Sequence, residues 1–143
     1  MSQSHPGMPA TSYTRIDATG VPYLEGSRCD VCGAVFLGQR EHCGRCATRE
    51  RMQVIRLSDR GRLYSYTIVY RSYAGVPVPF ISAIVDLDGG GTVKGTLLDV
   101  APEPAKLQFG MRVRMVFRDA GLVNAEGAGY IAHFFVPDGD VHD

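Results

Sequence analysis

The chain contains no tryptophan, only two lysines and only four cysteines. Its 15 basic residues balance its 15 acidic residues, so it lacks the net charge that drives nonspecific binding to nucleic acids or membranes. No apolar run approaches the roughly 18 residues of a membrane helix, and the start, MSQSHPGMPATSYTR, lacks the basic and apolar segments of a secretion signal. We therefore expect a soluble, cytoplasmic protein that does not enter membranes.

All four cysteines lie in one stretch, CDVCGAVFLGQREHCGRC, as two pairs with two residues between the partners. This spacing lets both thiolates of a pair point inward from one tight turn, and two such turns supply a tetrahedral site at about 2.3 Å from an ion. Cys29, Cys32, Cys43 and Cys46 are therefore predicted to bind structural Zn²⁺, and the same ligands could bind iron. A redox dithiol needs only one pair, and a disulfide framework is not expected in a chain without a secretion signal.

Five runs of β-branched and aromatic residues follow, separated by turn formers. The fourth, MRVRMVF, alternates apolar residues with arginine, which indicates a strand with one buried face. The predicted strands are residues 62–70, 80–87, 92–98, 111–117 and 130–136. The DLDGGGT segment predicts a hairpin turn, and the prolines of APEPAKLQFG exclude a long helix.

The order of these elements predicts a mainly β protein with an N-terminal rubredoxin-like zinc ribbon and a five-stranded OB-fold barrel. An incomplete β-sandwich would give a similar periodicity. The predicted divisions are a flexible arm over residues 1–22, which could also form one short helix, the ribbon over 23–58, the barrel over 59–137 and an acidic tail over 138–143. The arm is predicted from its Ser, Thr, Pro and Gly content.

The remaining histidines and acids do not suggest a catalytic group. His133 lies within the last predicted strand and is interpreted as a surface histidine, as is His42 beside Cys43. Asp86 and Asp88 precede the hairpin and are interpreted as turn residues. We therefore predict that the chain is not an enzyme.

Basic residues concentrate between residues 39 and 62, where seven arginines accompany three acids. Arginine favours bidentate binding of phosphate or carboxylate, although a solvated charged face is the simpler interpretation. In the first barrel strand, Tyr64, Tyr66, Ile68 and Tyr70 are predicted to alternate onto one face, with Tyr73 and Phe80 bracketing AGVPVP. Such tyrosines suit a partner surface or a pantetheine groove, but they could also be barrel core and rim.

The ordered combination of parts resembles a family of acyl-CoA-associated proteins long labelled a domain of unknown function. The resemblance covers residues 24–137 and rests on CDVCG and CGRC in the ribbon and on GRLYSYTIVY, VPVPFISAIVDLDGG, VKGTLLDV, FGMRVRMVFRDAG and YIAHFFVP in the barrel. Usual members carry a longer aromatic helix before the ribbon, where this chain has VPYLEGS. The resemblance implies a noncatalytic partner of thiolase-like enzymes or of hot-dog hydratases.

That resemblance implies an accessory subunit that stabilises a thiolase-type complex and helps to place or channel an acyl-CoA thioester. The residues expected to contact CoA or the partner are Arg45, Arg49, Arg51, Tyr64, Tyr66, Tyr70, Tyr73 and Phe80. An alternative is a single-stranded nucleic-acid-binding OB-fold protein, in which tyrosines stack on bases and arginines bind the backbone. The neutral overall charge and the acidic segment after residue 118 argue against nucleic acid.

Overall fold

The computed structural model describes residues 8–9, 11–123 and 129–138. Most of the predicted acidic tail and the first seven residues of the predicted arm lie outside this range. The strands are β1 (Met8–Pro9), β2 (Thr14–Ile16), β3 (Pro22–Cys29), β4 (Val35–Leu37), β5 (Met52–Arg56), β6 (Arg60–Val69), β7 (Phe80–Leu87), β8 (Thr92–Leu97), β9 (Arg112–Val123) and β10 (Gly129–Pro137), with a short 3₁₀ helix at Pro104–Lys106. In the described ranges, no helix is long and apolar enough to span a bilayer.

The chain forms two compact units. The ribbon unit contains the described residues within 1–57, 89–91 and 117–133, and the barrel unit those within 58–88, 92–116 and 134–143. The first division, after Leu57, falls beside the predicted end of the ribbon. The domain boundaries themselves stay a prediction, because the last two barrel strands each contribute residues to both units.

Strand β3 is the centre of the ribbon sheet. It pairs antiparallel with β2 through Pro22–Leu24, with β4 through Gly26–Arg28 and with β5 through Glu25–Cys29. Gly26 is required there, because a Cβ atom at this position would lie 2.5 Å from Leu57 Cδ2 and 2.8 Å from the Phe36 carbonyl oxygen. This close approach brings Leu57 over the sheet, where it is buried.

Strand β2 lies within the interval predicted to be a flexible arm, so for these residues that prediction is wrong. Thr14 pairs with Leu24, is 2% exposed, and its Oγ1 lies 2.7 Å from Thr11 Oγ1. Asp17 fixes the following turn by accepting hydrogen bonds from the backbone amides of Thr19 and Val21. A hairpin with buried polar contacts orders a segment whose composition alone suggests disorder.

The mainly β fold with an OB barrel is confirmed. Strand order is β10-β8-β7-β6-β9, and an additional β10–β9 pairing closes the sheet on itself. All five predicted barrel strands are present, although β9 continues to Val123, beyond its predicted end at Phe117. Closure explains the difference, since pairing with β10 extends a strand past the point where its apolar alternation ends.

The barrel core is apolar and the connections are as expected. Leu63, Ile81, Val85, Val93, Val113 and Phe135 are each no more than 2% exposed. Gly89, Gly90 and Gly91 have φ between 84° and 117°, which confirms the glycine-dependent turn between β7 and β8. Only the three residues Pro104–Lys106 of the described β8–β9 connection are helical, in agreement with its prolines.

Candidate metal centre

The four cysteine sulfurs converge in the ribbon unit, and all lie within 4.8 Å of one another. Cys29 and Cys46 sulfurs are 3.7 Å apart, and Cys32 and Cys43 sulfurs are 3.6 Å apart. These distances exceed the roughly 2.05 Å of a disulfide bond. Four sulfurs at about 2.3 Å from a central ion would be ~3.8 Å apart, so the observed cluster fits a tetrahedral metal site. Cys29 and Cys43 are buried, and Cys46 is exposed.

Two related turns hold the thiols. The Gly33 amide donates to the Cys29 carbonyl at 2.9 Å, and four residues after Cys43 the Ala47 amide donates to the Cys43 carbonyl at 2.9 Å. Both residues that close these turns are left-handed, with φ of 80° at Gly33 and 65° at Ala47. Gly33 adopts this conformation without a Cβ penalty. In the second turn the left-handed residue is Ala47, and not Gly44, which lies between the two cysteines.

In the second turn, hydrogen bonds to the sulfurs favour the thiolate forms that a metal needs. The Cys46 and Arg45 amides donate to Cys43 Sγ at 3.4 and 3.3 Å and hold the pKa of the Cys43 thiol below its ordinary value. The Thr48 hydroxyl, 3.0 Å from Cys46 Sγ, and the Thr48 amide lower the pKa of Cys46 to about 6. The second turn is therefore well prepared to present thiolates.

Arginines surround the ligands, but with different roles. Arg45 donates from Nη2 to the Cys32 carbonyl at 2.8 Å, so it braces the two turns against each other. Arg40 lies over the Phe36 ring, 4.9 Å from its centroid. Arg49 and Arg51 are exposed, and within the described ranges neither makes an ion pair. Of the three arginines predicted to contact CoA or a partner, Arg45 is thus engaged by the Cys32 carbonyl, whereas Arg49 and Arg51 can still bind a ligand or partner.

A buried polar network supports the site from β3. Glu25 is 8% exposed, and its carboxylate accepts from Arg15 Nε at 3.2 Å and from Gln39 Nε2 at 2.9 Å. Ser27, 1% exposed, donates to the Gly38 carbonyl at 2.6 Å. Both residues tie β3 to the chain after β4 and so fix the strand that ends at Cys29. The sequence analysis did not identify Glu25 and Ser27 as supporting residues. An acid and a serine two residues apart, just before the first cysteine pair, were the signal that could have indicated them.

The aromatic residues of β6 do not share one face, so that prediction is wrong. The ladder with β7 steps from Leu63–Val85 to Ser65–Ile84, which leaves Tyr64 as the extra residue of a β-bulge. Beyond the bulge the alternation is shifted by one residue. Tyr66 lies opposite the buried Ala83, whereas Tyr64 is 64% exposed.

The other predicted aromatic contacts lie at the end of β6 and beyond. Tyr70 and Tyr73 are 65% and 87% exposed, in a connection (residues 70–79) whose ten residues are all exposed. Phe80 is half-buried and lines a cavity of about 180 Å³ with Leu97 and Pro102. All five predicted aromatic residues thus border solvent at least in part, and three of them, Tyr64, Tyr70 and Tyr73, are largely exposed.

The two predicted surface histidines differ. His42 is exposed, as predicted. His133 is half-buried, and its ring lies edge-on to Tyr13 with 6.3 Å between centroids. The surface interpretation of His133 is therefore wrong, because its Nδ1 atom is buried and the Tyr13 ring packs against the side chain.

Comparisons with known proteins agree with this geometry. Residues 54–118 match the family described as ChsH2, C-terminal OB-fold domain. A DUF35 domain-containing scaffold protein of Methanocaldococcus jannaschii is 34% identical over 66% of this chain and 67% of its own length. The benzoylsuccinyl-CoA thiolase subunit BbsA of Geobacter metallireducens is 40% identical over 48% of this chain and 45% of its own.

A solved structure, the Ltp2-ChsH2(DUF35) aldolase, matches with a TM-score of 0.59 and 23% identity, covering 80% of this chain and 84% of that chain. At this identity the likeness shows the fold alone. The sequence relationship to the scaffold protein is closer and spans both units. The chain belongs to the DUF35 family.

Proposed function

We propose that this chain is a noncatalytic accessory subunit of a thiolase-like, CoA-dependent enzyme complex. It stabilises the enzyme and helps to place an acyl-CoA thioester. The observation that carries the proposal is the exposed aromatic connection of the barrel, in a chain whose relatives include scaffold proteins and a thiolase subunit.

The aromatic connection has the composition of a protein-binding surface. Tyr70, Tyr73, Val76 and Val78 are each at least 40% exposed, and the segment contains no acid. Tyrosine contributes strongly to binding, because its ring buries a large area while its hydroxyl keeps a polar partner. A contiguous exposed patch of this kind is typical of an interaction site. We assign residues 70–79 as the contact with the enzyme.

The cysteine and histidine side chains that could take part in catalysis are occupied by other contacts, which supports a noncatalytic role. The four thiols face one another, which leaves a fully ligated ion no open position for substrate. Zn²⁺ is the ion that this donor set fits best, and when bound it supplies structural cross-linking of the two turns. The His133 ring packs against Tyr13.

Arg49 and Arg51 are the residues that we assign to the CoA thioester. Both are exposed, and guanidinium groups bind phosphate through paired hydrogen bonds. In this proposal they meet the phosphates of CoA at the surface of the ribbon unit, while the enzyme holds the reacting acyl group.

Coexpression with candidate thiolase-like and hydratase-like enzymes of the same genome tests the proposal. We expect this chain to coelute with one such enzyme, and Tyr70→Ser with Tyr73→Ser to weaken association at least tenfold, since interface tyrosines are common hot spots. Val54→Ser is the matched control, because Val54 is a 59% exposed apolar residue of the ribbon unit. Absence of a complex with any of these enzymes would contradict the proposal, as would unchanged binding of the tyrosine variant.

A further inference from the structure

Two barrel strands place four arginines directly opposite one another. In the β6–β9 ladder, Arg60 pairs with Arg114 and Arg62 pairs with Arg112. Cross-strand partners share a face of the sheet, and like charges in these positions destabilise a ladder. This arrangement therefore needs anions, either within the chain or from outside.

Two carboxylates of the barrel unit each bind one arginine of a pair. Arg112 donates from Nη1 and Nη2 to the two Asp88 oxygens at 2.9 and 2.8 Å, and this bidentate contact holds the pKa of Asp88 below its ordinary value. Arg60 donates from Nη1 to Asp138 Oδ2 at 2.8 Å. One member of each opposed pair is thus neutralised within the chain.

The other two arginines, Arg62 and Arg114, are diagonal neighbours in the β6–β9 ladder. Arg62 donates from Nη1 to the Gly110 carbonyl at 3.1 Å, and in the described part of the chain neither Arg62 nor Arg114 makes an ion pair. Asp86 lies across the β6–β7 ladder from Arg62, where its carboxylate accepts the Thr92 hydroxyl at 2.9 Å and makes no ion pair with Arg62. Diagonal positions in an antiparallel pair are about 7–8 Å apart, so two long guanidinium side chains can meet at one group.

A phosphate fits this diagonal better than a carboxylate. A carboxylate carries a single charge, which balances one guanidinium group, as Asp88 shows with Arg112. A phosphate monoester has three free oxygens and close to two charges near neutral pH, enough for two guanidinium groups. Arg62 also lines an open cavity of about 600 Å³, together with Gln108, Gly110, Met111, Arg112, Pro137 and Asp138, whose carboxylate is already paired with Arg60. Cavities of this size accept small organic ligands.

We propose that Arg62 and Arg114 bind the phosphate group of a small organic phosphate, whose organic part lies in the cavity beside Met111 and Pro137. The site belongs to the barrel unit alone. It requires neither the enzyme partner nor the ribbon arginines, so its test is independent of the proposed function.

The full-length, metal-loaded chain should be titrated at constant ionic strength with inorganic phosphate, pyrophosphate and acetate, while arginine side-chain signals are followed by NMR. We expect saturable binding of both phosphates, little binding of acetate, and shifts at Arg62 and Arg114. The double variant Arg62→Gln with Arg114→Gln should bind pyrophosphate at least tenfold more weakly. Arg40→Gln, a change at an exposed arginine of the ribbon unit, should bind like the wild type.

Three results would overturn the inference. The first is no saturable phosphate binding by the wild-type chain, and the second is equal affinity in the double variant. The third is tighter binding of a single-stranded oligonucleotide with a steep salt dependence, which would assign the arginines to a nucleic-acid backbone. The double variant should keep the wild-type unfolding midpoint or exceed it, because the substitutions relieve like-charge opposition, and this measurement separates lost binding from lost folding.

Discussion

The interiors of the ribbon and barrel units are built from different chemistry. Among the described residues, all three buried polar side chains, Thr14, Glu25 and Ser27, belong to the ribbon unit, as do the buried cysteines. Among the described residues of the barrel unit, every buried side chain is apolar. A ribbon with few buried apolar residues depends on ligands and hydrogen bonds at particular atoms, whereas the barrel distributes its stability over many interchangeable contacts.

Removal of the metal should therefore affect the two units very differently. We expect chelation to abolish the dispersed amide NMR signals of residues 22–56, while signals of β7 and β8 persist. Ligand binding in small zinc modules is coupled to folding and contributes roughly 10–16 kcal/mol, more than a small unit can replace by packing. Readdition of Zn²⁺ should restore the spectrum. If native mass spectrometry shows that the chain is free of metal and the NMR spectrum of the ribbon unit is unchanged, the ribbon does not depend on the metal more than the barrel does, and the prediction is wrong.

In the barrel, the largest effect of a single substitution is expected at Phe135. This side chain is fully buried, so Phe135→Ala leaves a cavity and should lower the free energy of unfolding by ~3–5 kcal/mol. Urea unfolding of the metal-loaded protein measures the change. Val54→Ala, at a 59% exposed residue of the ribbon, should remain within about 0.5 kcal/mol of the wild type. A loss below ~1 kcal/mol at Phe135 would show that the barrel does not depend on this contact.

The difference between the units also explains what the sequence predicts. Barrel strands were identifiable because a sheet with one buried face imposes alternation, as in residues 111–117, and the metal ligands because a tetrahedral site imposes spacing. The central ribbon strand was missed, since Glu25 and Ser27 become acceptable in a core only through partners such as Arg15 and the Gly38 carbonyl.

Register is the second property that the sequence did not supply. One inserted residue, Tyr64, shifts every later side chain of β6 to the other face, and no local signal in RLYSYTIVY marks the bulge. Likewise, the sequence does not show that Arg62 lies opposite Arg112, because this depends on the register between two strands that are distant in the chain. The alternation of residues predicts which side chains share a face of a strand, but the residues opposite them are known only once the strand pairing and its register are known.

The smallest predicted effects compare the two metal-binding turns. A Cβ atom at Gly33 would meet no heavy atom within 4 Å, so Gly33→Ala carries only the cost of a left-handed alanine. We expect it to lower the free energy of unfolding by about 1 kcal/mol and to weaken Zn²⁺ binding several-fold. Ala47→Gly removes the same strain from the second turn, but the larger entropy of glycine in the unfolded chain offsets part of the gain, so we expect stabilisation by only about 0.5 kcal/mol.

Gly20→Ala separates backbone strain from metal binding. Gly20 has φ of 88° with open space around it, as at Gly33, but it lies in the turn between β2 and β3, outside the cysteine turns. Its substitution should lower stability by about 1 kcal/mol while changing Zn²⁺ affinity less than Gly33→Ala does. Competition with a chromogenic chelator measures the affinities. Equal losses of affinity for the two alanine variants would mean that the metal responds to the stability of the whole ribbon and not to the geometry of its turns.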